Sequence, residues 1–246
     1  MLYIKKQNPD RDVSANIADV KRTRNWDEVD KNDVQRVRSC FNDLNKTVIK
    51  EQLISEQHGL CAYCMSRIRN DNNMRIDHFV PIQTSGADAL NYANMVGCCN
   101  GGSTVKPKPG LHKILCCDAS KGEQLLTLSP FDRSQIQKLR YRSDGRIYTY
   151  PQDERLEHDI NFVLCLNGLV DEKSGKCMAD TATNLVRNRR QAYLAYEKII
   201  YKFLSKRDGT LGTHIRRKIA EIESTIEFFP YAGVLLYFLK RKLKEL

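Results

Sequence analysis

Apolar positions along the chain change period several times, and each change predicts an element. Between about Lys31 and His58, the residues Val34, Val37, Phe41, Leu44, Val48 and Leu53 fall near three-to-four-residue spacing with charges between them, which predicts a helix. Gly59 stands where a helix C-cap glycine belongs, and His58 reads as a last-turn residue facing the helix dipole, with a metal ligand as the alternative. Before this helix, Tyr3-Ile4 reads as a short strand or an extended arm. Asp10–Trp26 is weakly patterned and reads as loop with a helical turn.

The segment Met65–Met74 is polar and turn-rich, and Arg75–Val80 reads as a strand ended by Pro81. Residues 82–93 read as a loop and a short helical turn. Ser103–Gly110 carries Gly, Lys and Pro and reads as a mobile basic insertion. Asp118 is a good N-cap for a short helix over Ser120–Leu126. Gln137–Tyr141 and Arg146–Tyr150 flank Ser143-Asp144-Gly145 as a hairpin. From Asp153 the chain turns helical again, with helices expected at Asn184–Arg207, Thr213–Phe228 and Tyr231–Leu246. The fold class expected is α+β in three segments. Residues 1–57 form an arm and helix, 58–126 a metal-stapled core, and 127–246 a hairpin with a mostly helical C-terminal region.

Composition narrows the partners. The 246 residues carry a net charge of +10, which favours an anionic partner, nucleic acid first. The helix at Asn184–Arg207 alone has seven Lys and Arg against one Glu. It reads as a DNA track, a solvated face or a surface for a protein partner. The opening residues MLYIKKQNPD lack the apolar core of a secretory signal, and Ala232–Leu239 is far short of the roughly 20 residues of a membrane span. A cytoplasmic protein with no membrane partner is expected, and there nine cysteines point to metal before disulfides.

The chemistry is concentrated between Cys61 and Gly122. Cys61-Ala-Tyr-Cys64 has the spacing that lets two thiolates of one tight turn reach one metal ion. Cys99 and Cys117 are the natural second pair. Cys98 and Cys116, each one residue away, are rival ligands, and His112 is a more distant one. Four thiolates would hold zinc tetrahedrally with no open position, a structural site. Cys40, Cys165 and Cys177 read as buried free thiols. Asp77-His78 offers a carboxylate and an imidazole, but neighbours on a strand point to opposite faces. They serve one site only if the strand ends there, and taken alone His78 also reads as a structural histidine.

The order of these features carries a resemblance. A CxxC knuckle, Asp-His at a strand end, an Asn in mid-loop and Cys117-Asp118-Ala-Ser-Lys121-Gly122 resemble the HNH (ββα-metal) endonucleases, with Asp118 where Asn is common. The resemblance implies His78 as general base, Asn94 as the amide that orients its ring, and Asp77 and Asp118 as ligands of a catalytic Mg²⁺ or Mn²⁺. It implies a structural Zn²⁺ on Cys61, Cys64, Cys99 and Cys117. Asn91 and Asn100 are rival amides. Lys121 is placed to meet a substrate phosphate or is a solvated helix lysine.

The phrase Gln57-His58-Gly59-Leu60-Cys61-Ala62-Tyr63-Cys64, the CCNGG and CCDASKG corners and the basic Ile4-Lys5-Lys6 are similar to the PtuB-type proteins. Those are nuclease subunits of Septu and some retron anti-phage systems in bacteria. That similarity implies DNA cleavage in phage defence and a PtuA-type ATPase partner. The chain itself has no Walker A loop. RNA, including tRNA, as substrate and a non-catalytic zinc-stabilised adaptor are the alternatives.

Overall fold

The computed structural model describes residues 1–106, 113–171, 173, 177–205 and 209–246. The described part is α+β, with helices around small antiparallel sheets. No helix among the described residues is long and apolar enough to cross a membrane.

The N-terminal third holds three helices, α1 (Arg11–Thr23), α2 (Val34–Asn42) and α3 (Lys46–Glu56). The arm before them is extended, with the Ile4 amide donating to the Pro130 carbonyl at 2.9 Å. Helix α1 replaces the loop expected over Asp10–Trp26. Asp10 caps it by accepting from the Val13 amide, and Val13, Ile17 and Val20 form one narrow buried stripe. Three apolar residues among polar ones make a weak periodic signal.

The single helix expected from Lys31 to His58 is two. Asn45 caps α3 through the Thr47 amide, and the amide side chain of Asn16 on α1 bonds both backbone groups of Asn45. The apolar spacing runs through this break because Leu44 stays buried in it.

Strands β1 (Met74–His78) and β2 (Met95–Cys99) pair antiparallel, with Met74 opposite Cys99 and His78 opposite Met95. The chain then reaches α4 (Asp118–Lys121). This helix starts two residues earlier than expected, with Cys117 as its cap and Asp118 in its first turn. It stops at Gly122 instead of Leu126. Ser103–Gly110 and His112 lie partly or wholly outside the described residues.

After α4 come α5 (Arg133–Ile136), the expected hairpin as β3 (Leu139–Tyr141) and β4 (Ile147–Thr149), and α6 (Glu154–His158). A further pair, β5 (Leu169–Val170) and β6 (Cys177–Ala179), was not expected; it is too short to show alternation. Three helices close the chain: α7 (Leu185–Leu204), α8 (Leu211–Glu223) and α9 (Ala232–Lys244). Helix α9 buries Ala232 through Leu236 together with Phe238 and Leu239. One continuous core runs from Met1 through the knuckle cysteines to Leu239.

Candidate metal centre and active site

The knuckle is held by backbone. The Cys61 amide donates to the Ser66 carbonyl at 2.8 Å, and the Ala62 amide to the Gly97 carbonyl at 3.0 Å. Gln57, which sequence reasoning used only within a phrase, is the clamp between knuckle and strand. Its amide nitrogen donates to the carbonyls of Leu60 (2.8 Å) and Gly97 (2.7 Å), and its oxygen accepts from the Gly97 amide at 2.7 Å. Gly101 brings in the second corner. Its φ is +61°, and a Cβ there would stand 2.0 Å from the Cys116 carbonyl oxygen, so only glycine fits.

Cys61, Cys64, Cys99 and Cys117 bring their sulfurs within 4.8 Å of one another, a group that can hold a metal ion such as zinc. The Cys61–Cys117 sulfurs are 3.9 Å apart and the Cys64–Cys99 sulfurs 3.7 Å. A tetrahedral Zn–S bond of about 2.3 Å requires sulfurs about 3.8 Å apart, so the donor set fits. The rivals lie outside this four-sulfur group, although Cys116 stands close enough to act on Cys99 and Cys117. Cys98 Sγ donates to the Arg75 carbonyl at 3.6 Å, and Cys116 Sγ faces Thr183 Oγ1 at 3.6 Å. On β2, Cys98 and Cys99 take opposite faces, and only Cys99 faces the knuckle.

The Cys99 thiol is held far below the ordinary range, first by Cys116 and then by the thiols of Cys117, Cys61 and Cys64. Burial drives Cys61 upward. A zinc ion held by the four cysteines would supply the charge that removes the thiol protons. Cys40 is buried as a free thiol, whereas Cys165 and Cys177 are half-exposed. His58 is no ligand: its ring stacks on Phe228, and Nδ1 lies 2.9 Å from the Ile226 carbonyl.

Beside the cluster, a cavity of about 390 Å³ is lined by Asp77, His78 and Asp118, with Arg38, Phe41 and Arg75 at its walls. Strand β1 ends at His78, where the backbone turns to give the Phe79 amide to the Asn94 carbonyl. That end lets two sequence neighbours reach one cavity. Asp77 is buried, with Oδ2 accepting from the Tyr63 hydroxyl at 2.5 Å and Oδ1 from Lys121 Nζ at 3.0 Å. Burial pushes the Asp77 carboxyl up to about 6, against the pull of Lys121. Asp118 Oδ2 accepts from Arg75 at 3.2 Å.

His78 packs against the edge of Phe41, and its Nε2 lies 2.9 Å from the Ala89 carbonyl. A carbonyl only accepts, so Nε2 carries the hydrogen and Nδ1 keeps a lone pair. Burial lowers the His78 pKa, which leaves the ring neutral at pH 7.

Two expectations fail here. Asn94 does not orient the His78 ring. Its Oδ1 accepts from the Val80 amide at 2.8 Å and its Nδ2 donates to the Val80 carbonyl at 2.9 Å, so it holds the backbone after His78. The ring-holding group is a backbone carbonyl, invisible in sequence. Asn91 and Asn100 serve their own turns. Lys121, expected either to meet a substrate phosphate or to be solvated, lines the cavity but has its ammonium taken up by Asp77. It is 1% exposed, and its ammonium also donates to the His78 carbonyl at 2.7 Å.

A larger cavity of about 560 Å³ contains His158, Glu154 and Asp159. Asp159 is already spent on the Thr127 and Leu128 amides, at 2.6 and 2.7 Å. No protein-family model matches the chain, and no curated protein matches it.

Proposed function

We propose that this protein is a zinc-stapled endonuclease of the HNH, ββα-metal type that hydrolyses nucleic-acid phosphodiesters. The observation that carries the reading is the cavity into which His78, Asp77 and Asp118 all open, next to four convergent thiols. An antiparallel β1–β2 pair followed by a short helix bearing Asp118 is the order that the resemblance requires.

Asp77 and Asp118 are the residues that would hold a divalent cation. Each Asp77 oxygen has a lone pair beyond the one its present donor uses. A bound Mg²⁺ or Mn²⁺ would supply charge stabilisation at the scissile phosphate and leaving oxygen. His78, neutral and oriented by Ala89, takes the proton of the attacking water at Nδ1. Asn94 is a positioning residue that keeps the turn after His78 in place. Cys61, Cys64, Cys99 and Cys117 would hold a zinc ion that would cross-link the knuckle to the end of β2 and the start of α4.

Substrate contacts move from Lys121 to exposed cations. Arg38 and Arg75 border the cavity, and Arg187, Arg190, Lys198 and Lys202 are exposed along α7. DNA as substrate, a role in phage defence and a PtuA-type ATPase partner belong to this proposal through the family resemblance.

The test is cleavage of DNA and RNA in Mg²⁺ or Mn²⁺, by the chain alone and with any ATPase that co-purifies. His78→Ala is expected to lower the rate by about 10²-fold or more while zinc content and melting temperature stay at wild-type values. A wild-type protein that nicks neither nucleic acid, with or without such a partner, overturns the reading and favours the adaptor.

A further inference from the structure

The zinc knuckle and the catalytic cavity share one side chain. Tyr63 lies between the two knuckle cysteines, is 0% exposed, and donates its hydroxyl to Asp77 Oδ2. The knuckle on one side of Tyr63 is defined by Cys61 and Cys64, both members of the four-sulfur cluster. On the other side, Lys121 completes the hold on Asp77 through Oδ1. Two donors on two different oxygens fix the plane of the carboxylate, which a single donor leaves free to turn.

A tyrosine has few rotatable bonds, so its hydroxyl follows the position of its own Cα. That Cα sits in the two-residue turn between two metal ligands. A displacement of the turn therefore reaches Asp77 without being absorbed by a flexible side chain. Misplacement of a catalytic group by about 1 Å is enough to cost on the order of 10²-fold in rate.

We infer that Tyr63 is a positioning residue through which the occupied zinc site sets the Asp77 carboxylate, and with it the affinity for the catalytic divalent cation. The inference rests on the nuclease reading above, in which Asp77 is a cation ligand. It makes the cysteine cluster more than a staple, because zinc occupancy then controls whether the second metal binds.

Tyr63→Phe removes one oxygen and keeps the ring, so the knuckle should still fold. The full chain is titrated with Mn²⁺ by calorimetry, zinc content is measured by elemental analysis, and cleavage is followed against Mn²⁺ concentration. The expected result is one zinc per chain, an unchanged melting temperature and Mn²⁺ binding weakened about tenfold, as loss of a partner behind a metal ligand does. The Mn²⁺ concentration for half-maximal cleavage should rise by the same factor.

Wild-type Mn²⁺ binding in the variant overturns the inference and leaves the nuclease reading standing. Loss of zinc together with Mn²⁺ binding also overturns it, because Tyr63 then only supports the knuckle. A wild-type chain that cleaves nothing and binds no Mn²⁺ removes the reading on which the inference depends.

Discussion

Burial acts on Asp77 and His78 in opposite directions, because desolvation penalises whichever form is charged. It raises the Asp77 carboxyl to about 6 and lowers the His78 imidazole. At pH 7 the result is an ionised carboxylate beside a neutral base, the pair a metal-assisted hydrolysis needs. As pH falls through about 6, Asp77 takes up a proton. The proton and the divalent cation then compete for the same oxygens. Cleavage at limiting Mn²⁺ should therefore fall below about pH 6, and the midpoint should move lower as Mn²⁺ is raised. Initial rates from pH 5 to 8 at two Mn²⁺ concentrations check this. A limb centred above pH 7, or one that ignores Mn²⁺, would place the titrating group elsewhere.

At the scale of elements, β2 is secured on its two edges by different devices. One edge pairs with β1, and the other is met by the Gln57 side chain, which satisfies the Gly97 amide and carbonyl where a third strand would. Gln57→Leu keeps the bulk and strands a buried N–H, at a cost of about 2 kcal/mol. The expected readout is a melting temperature lower by about 5 °C with the zinc stoichiometry intact. An unchanged melting temperature would mean that the β1–β2 ladder holds β2 unaided. Helix α7 shows the same dependence on context. Arg189 is one of the cations counted toward a basic face, yet it is 0% exposed and donates to the Gly145 and Leu166 carbonyls, both at 2.6 Å. It ties α7 to the β3–β4 turn and is not available to a phosphate.

For the whole molecule, the four cysteines are the joint where distant parts of the chain meet. Cys61 and Cys64 follow α3, Cys99 ends β2 and Cys117 opens α4, and three of the four are buried in the common core. Removing the metal would leave thiols that need partners in the middle of that core. Chelation of the zinc should abolish cooperative thermal unfolding. Cys99→Ala should do the same, whereas Cys98→Ala should keep one zinc per chain, because its sulfur faces the Arg75 carbonyl. Elemental analysis and circular dichroism of the two variants decide between the neighbours; equal zinc loss in both would contradict the face assigned to Cys99.

Local elements and the inventory of chemistry were legible in the residues alone. The two-residue spacing of Cys61 and Cys64, the strand before Pro81, the turn at Ser143-Asp144-Gly145 and the last three helices are written in short-range periodicity and turn chemistry, which act over a few residues. Tertiary structure alone decided which cysteine of each neighbouring pair joins the cluster: at Cys98-Cys99 a strand offers both faces and only its pairing selects one, and at Cys116-Cys117 the turn into α4 makes the choice. It also decided that Lys121 is withdrawn to Asp77, that Asn94 holds backbone while Ala89 holds the His78 ring, and that Tyr63 bridges the two sites. These assignments depend on groups 11 to 44 residues apart. Desolvation by the packed core separates a buried cation such as Arg189 from a solvated one, and no local pattern of charges encodes that burial.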